Sequence, residues 1–150
     1  MFANRFRPWE CPDMPYSRLL YHVVWATKHR QPSIDDGMID PIAAAIAQTS
    51  RELEVTIFAV GIMPDHVHVL AQIPPALAVA RVIGRWKGAS AHAANEQRPD
   101  ALTRLAWQSG YGVLSVSQSG FAQVKAYVEH QRERHAAREV YGAMERADDQ

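Results

Sequence analysis

One cysteine, Cys11, is all that the 150-residue chain carries, so no disulfide framework can form within it, and such usage fits a reducing compartment. Nor is there an excess of charge. Sixteen Lys plus Arg stand against 16 Asp plus Glu, which removes the overall basic field that draws many proteins to nucleic acid. No apolar run approaches the roughly 18 residues of a membrane helix, and Met1 to Pro15 lacks the apolar heart of a secretory signal. Internal repeats, low-complexity blocks and interdomain linkers are missing as well. These absences leave a cytoplasmic protein without a membrane partner, long enough to bury one core unaided by disulfide or metal staples. The expected organisation is a flexible arm over residues 1–15, one domain over 16–141 and a frayed acidic tail over 142–150.

What is there is unevenly spread. Met1 to Arg30 holds Arg5, Arg7, Arg18, Lys28 and Arg30 against Glu10 and Asp13. Arg81 to Arg104 repeats that bias with Arg81, Arg85, Lys87, Arg98 and Arg104 against Glu96 and Asp100. Between them, Gln31 to Asp65 is acidic. Basic stretches of this kind suit either a solvated helix face or a phosphate-binding surface, for which Lys28, Arg30, Arg81, Arg85 and Lys87 are the candidates.

The periodicity predicts the elements in order. Arg18 to Thr27 is β-prone and nearly all apolar, as a central strand buried on both faces would be. Ile39 to Leu53 has helical spacing, with Asp40 as N-cap ahead of Pro41. Val55 to Ile62, a turn over Gly61 to Asp65, and a strand from His66 make a hairpin. Leu77 to Asn95 is a second helix, whose Gly84 and Gly88 suggest a close backbone approach. Val113 to Ser117 is a fourth strand, and Ser119 caps a last helix from Gly120 to about Tyr141. The order β-α-β-β-α-β plus a helix predicts an α+β, ferredoxin-like split βαβ fold, an antiparallel sheet with the first two helices on one face.

Chemistry concentrates in Asp65-His66-Val67-His68. Side chains alternate along a strand, so His66 and His68 point one way while Val67, Val69 and Ala71 enter the core on the other side. Two adjacent imidazoles can hold a metal, although an isolated His-x-His is common. On the last helix Tyr127 and Gln131 lie one turn apart, and if that helix crosses the free face of the sheet they arrive near the histidines. The same pair also fits the boundary of an ordinary amphipathic helix. His22, His29, His92, His130 and His135 read as structural or surface residues.

This set of residues resembles the HUH motif, histidine-hydrophobic-histidine, of the small single-tyrosine transposases of bacterial insertion sequences, the TnpA type. Other landmarks agree from Tyr16 to His135: Tyr21-His22-Val23-Val24-Trp25, Thr27-Lys28, Lys87-Gly88, Trp107-Gln108, Gly110-Tyr111-Gly112, and Tyr127 with Gln131. The chain is similar also to the domesticated REP-associated tyrosine transposases. The resemblance implies a nucleophilic Tyr127 that leaves a 5′-phosphotyrosine on single-stranded DNA at hairpin-marked ends. It also implies one divalent ion, Mg²⁺ or Mn²⁺, on His66, His68 and Gln131, and a homodimer, or a monomer in REP-associated members. The chain departs from the family pattern at Arg134, which precedes His135 after Glu133 where relatives often carry a histidine pair. Competing expectations are a domesticated relative that nicks or binds genomic repeat hairpins, a non-enzymatic module for single-stranded nucleic acid, and a metal-dependent hydrolase.

Overall fold

The computed structural model describes residues 16–98 and 104–131. They form four strands, β1 (Leu20–Ala26), β2 (Thr56–Ile62), β3 (His66–Gln72) and β4 (Gly112–Val116), with helices α1 (Asp36–Glu52), α2 (Val79–Glu96) and α3 (Phe121–Glu129). The sheet is antiparallel in the order β2-β3-β1-β4, so β1 and β3, the two most buried strands, lie at its centre. This is the α+β split βαβ arrangement that the element order predicts. The expected arm, the tail, and the last helix beyond residue 131 lie outside the described residues. No helix among the described residues is long and apolar enough to cross a membrane.

Two cores share the sheet, one on each face. Val23 and Trp25 of β1, Val67, Val69 and Ala71 of β3, Ile42 and Ile46 of α1, and Val82, Ile83 and Trp86 of α2 make the larger one. Trp25 lies nearly parallel to Trp86, with centroids 6.2 Å apart, and meets the edge of Trp107 at 5.9 Å. The buried indole N–H of Trp86 donates to Ser50 Oγ at 2.8 Å, so its burial leaves no orphan donor. The smaller core joins Ala59 and Leu70 to Val124, Tyr127 and Val128 of α3.

Some local expectations are corrected. α1 begins four residues before the expected cap: Asp35, not Asp40, is the N-cap and its carboxylate accepts from Gly37 N at 2.9 Å. Burial of Met38 in the larger core rewards that earlier start, and Pro41 is carried inside the helix. Ahead of α3, Ser117 rather than Ser119 accepts from Gly120 N, at 3.0 Å, and Gly120 holds the cap position. Among the described residues, a Cβ built on Gly84 or Gly88 would meet nothing within 4 Å, so neither glycine serves a close approach between these elements.

β2 contains a register shift between Ile57 and Ala59. The extra residue turns Phe58 and Ala59 together toward α3, where Phe58 meets Phe121 edge to face at 4.9 Å. Beyond the shift, Val60 packs on the larger core and Gly61 lies beneath α3.

Candidate active site

Strand alternation builds the site. Val67, Val69 and Ala71 go into the larger core, so His66 and His68 stand on the α3 face, 2% and 0% exposed, with ring centroids 4.9 Å apart. β1 pairs Ala26 with His66, Val24 with His68 and His22 with Leu70, which puts His22 on the same face, diagonal to His68. α3 crosses that face and lays the ring of Tyr127 edge-on to His68, centroids 5.8 Å apart at 82°, and to His22, 6.3 Å apart at 81°. α3 is described to Glu129, with His130 as C-cap. The next residue, Gln131, turns inward, is 2% exposed and donates from Nε2 to Tyr127 O at 2.9 Å.

Gly61 makes this docking possible. A Cβ there would fall 2.6 Å from Val128 O and 2.9 Å from Gln131 Cγ, closer than atoms of those kinds can stand. Only a bare Cα lets the end of α3 settle against β2, and the same contact seats the Gln131 side chain.

Each imidazole of the pair is held from its Nδ1 side. His66 Nδ1 is 2.6 Å from Asp65 Oδ1, and Asp65 Oδ2 is 3.7 Å from the Arg30 guanidinium. The hydrogen bond from His66 holds the Asp65 carboxyl below the usual carboxylate range against the opposing effect of its partial burial, with the charges of His66 and Arg30 helping. His68 Nδ1 is 2.8 Å from His22 Nε2. With Nδ1 engaged in both rings, Nε2 is the nitrogen that each would present to a metal, and with the Gln131 amide nitrogen on Tyr127 O, the amide oxygen is the atom that Gln131 would present. Two imidazoles and an amide oxygen make a donor set suited to a borderline divalent ion such as Mn²⁺ more than to oxygen-loving Mg²⁺. Among the described residues, no group of three or more His, Cys, Asp or Glu is placed to hold a metal.

The basic candidates fall in two places. Lys28 and Arg30 lie in a single 3₁₀ turn, Lys28–Arg30, that leaves β1 beside Asp65. His29 and Arg30 adopt left-handed backbone there, φ 58° and 50°, a strain of about 1–3 kcal/mol per non-glycine residue. Thr27 holds the turn in place: its N–H donates to Asp65 O at 2.8 Å and its hydroxyl to Gln31 O at 2.6 Å. Arg81, Arg85 and Lys87 instead ride on α2, across the sheet from the histidines. Arg81 is exposed, and Arg85 bonds Glu52 at 3.0 Å. Lys87 donates to the carbonyls of Gln108, Ser109 and Gly110 at 2.6, 3.2 and 3.1 Å, and burial pushes its ammonium below the usual lysine range. Sequence alone gives no site role to His22, which reads as a structural or surface residue, to Asp65, which is named only within the motif, or to Gly61, which falls in the expected turn. The period-two alternation of β1 already carried the signal for His22, since Val23 and Trp25 must face the opposite core.

Comparison with known proteins extends this geometry. Residues 15–131 match the family model described as "Transposase IS200 like". The ISDra2 transposase TnpA of Deinococcus radiodurans is 30% identical over 125 residues, 78% of this chain and 86% of that protein. The transposase for insertion sequence element IS200 of Salmonella typhimurium is 29% identical over 117 residues, 75% of this chain and 76% of that one. Among solved structures, a Deinococcus radiodurans R1 chain assigned as a transposase superposes with a TM-score of 0.63 at 29% identity, over 77% of this chain and 92% of that one. A REP-associated tyrosine transposase bound to a REP hairpin shares the fold, with a TM-score of 0.63 at 15% identity over 90% of each chain.

Proposed function

Since this chain belongs to the IS200-like transposase family, we propose that it cuts and rejoins single-stranded DNA at hairpin-marked ends through Tyr127. One observation carries the reading: Tyr127, His66, His68 and Gln131 converge on one face of the sheet, the tyrosine ring 5.8 Å from that of His68. Tyr127 Oη attacks phosphorus, a new O–P bond forms, and the 3′-oxygen leaves, so the strand is held as a 5′-phosphotyrosine with a free 3′-hydroxyl. Attack of a 3′-hydroxyl on that phosphotyrosine reverses the step and rejoins strands without ATP. A phenol with a pKa near 10 is a weak nucleophile, so catalysis rests on orientation and on charge stabilisation at the phosphate. When bound on His66, His68 and Gln131, a divalent ion, Mg²⁺ or Mn²⁺, would supply Lewis-acid polarisation of a non-bridging oxygen. Packing of Tyr127 among Leu70, Val124 and Val128 orients the ring and excludes water from it.

Lys28 and Arg30 flank the site and suit the backbone of the strand that enters it, while Arg81 and Arg85 would reach DNA only beyond the α1/α2 layer. The working unit in this reading is a homodimer. A domesticated role on genomic repeat hairpins is the second reading, favoured by the fold shared with the hairpin-bound REP-associated protein. Labelled single-stranded hairpin DNA run with protein on a denaturing gel tests the proposal. Wild type is expected to give a covalent adduct and Tyr127→Phe none, with hairpin binding retained. An adduct that persists in Tyr127→Phe would assign the nucleophile elsewhere.

A further inference from the structure

The pair His22–His68 holds information that the two-histidine motif by itself does not. The rings are parallel within 7°, their centroids lie 5.1 Å apart, and Nε2 of one is 2.8 Å from Nδ1 of the other. A centroid separation that large across so short a nitrogen contact leaves room only for rings meeting edge to edge. The hydrogen bond therefore lies in the plane of both rings, along the lone-pair and N–H directions. Both side chains are buried, at 1% and 0% exposure, and β1 and β3 are paired through this region, so the contact is fixed by the central ladder.

One proton sits between two neutral imidazoles, and its side decides what His68 can do. If His22 donates, His68 Nδ1 accepts, its own proton moves to Nε2, and Nε2 has no lone pair for a ligand. If His68 Nδ1–H donates, Nε2 keeps its lone pair and His22 must carry its proton on Nδ1. His66 already shows the second pattern, because the Asp65 carboxylate can only accept and so fixes the His66 proton on Nδ1. From this parallel we infer that His22 is a positioning residue: its Nε2 accepts from His68 Nδ1–H and sets the tautomer in which His68, like His66, keeps the Nε2 lone pair for a ligand. Asp65 and His22 thus do one job from opposite ends, a carboxylate for the first histidine and a neutral imidazole for the second. Outer partners of this kind change metal affinity or activity by about 10- to 100-fold.

The inference rests on the metal-assisted reading above, but its first test does not. Long-range ¹H–¹⁵N NMR of the metal-free full chain, at a pH where the imidazoles are neutral, reports which nitrogen of each ring carries the proton. The expected result is Nδ1–H on both His68 and His22, whereas Nε2–H on His68 would overturn the inference. The second test is Mn²⁺ binding by calorimetry. His22→Phe, which keeps a flat ring and removes the acceptor, should weaken binding about 10- to 100-fold. His22→Gln, whose amide oxygen reaches the place of Nε2, should restore much of it. Equal affinity in wild type and a folded His22→Phe would also overturn the inference. Should His22→Phe not fold, the wild-type tautomer and His22→Gln decide. If wild type binds no Mn²⁺, the metal site fails as a reading while the tautomer still decides the role of His22.

Discussion

The two faces of β3 are equally buried and do different things. Val67, Val69 and Ala71 are 0% exposed against α1 and α2, a thick apolar layer closed by three tryptophans. His66 and His68, 2% and 0% exposed, lie under the nine-residue α3. Burial on the first face is favourable at about 25 cal/mol per Å² of apolar surface. On the second it is tolerable only because Asp65 and His22 satisfy Nδ1 of each ring. One face holds the fold, and on the other the proposed site depends on the same rigidity to keep its donors aligned.

Neighbouring substitutions on β3 would separate the two roles most sharply. Val69→Ala should lower stability by roughly 2 kcal/mol in chemical denaturation while leaving cleavage of hairpin DNA in place below its lowered midpoint. His68→Ala, or removal of divalent ions by chelation, should abolish cleavage, reversibly in the second case. Full cleavage in excess EDTA, or in His68→Ala, would show that the polar face is a second structural core.

Gly61→Ala is the next largest perturbation, since its Cβ would meet Val128 O and Gln131 Cγ on the α3 face alone. We expect about 1–3 kcal/mol of destabilisation and a loss of DNA cleavage greater than Val69→Ala causes at matched temperature. Unaltered cleavage would mean that the seat of α3 does not align the site.

Asp65 offers a pH test. Its carboxyl titrates below the ordinary 3.8 in the folded chain, so its contribution to stability is complete above the unfolded value and is lost as pH falls through the folded one. The gap in unfolding free energy between wild type and Asp65→Asn should narrow as pH falls below about 4. A gap that does not narrow below about pH 4 would contradict a carboxyl held below its ordinary value by the His66 contact.

The smallest effects belong to the far side of α2. Arg85 and Glu52 are each half exposed, so Arg85→Ala should change stability by less than about 1 kcal/mol. If Arg81 and Arg85 touch phosphates, alanine at both should reduce the slope of log affinity against log salt by roughly 0.7 for each contact to single-stranded DNA. An unchanged slope would leave recognition to the turn of Lys28 and Arg30. Lys87→Ala is a different experiment, because it releases three carbonyls of the loop ahead of β4.

The residues by themselves determined a good deal. Alternation in β3 separated the two histidines from the core valines, and the order of apolar periods predicted the split βαβ sheet and a helix left for its free face. Those signals are local, since the side-chain period of a strand or helix is a property of the backbone. Tertiary structure decided the rest. Pairing β1 with β3 in one register brought His22 onto His68, 46 residues away in the chain, and the shift at Ile57/Ala59 turned Gly61 under α3. Packing gave Lys87 to backbone carbonyls and left Gly84 and Gly88 without a close neighbour among the described residues. None of these follows from a short window of sequence, because register, bulge position and the fate of a long cationic side chain depend on partners that only folding brings within reach.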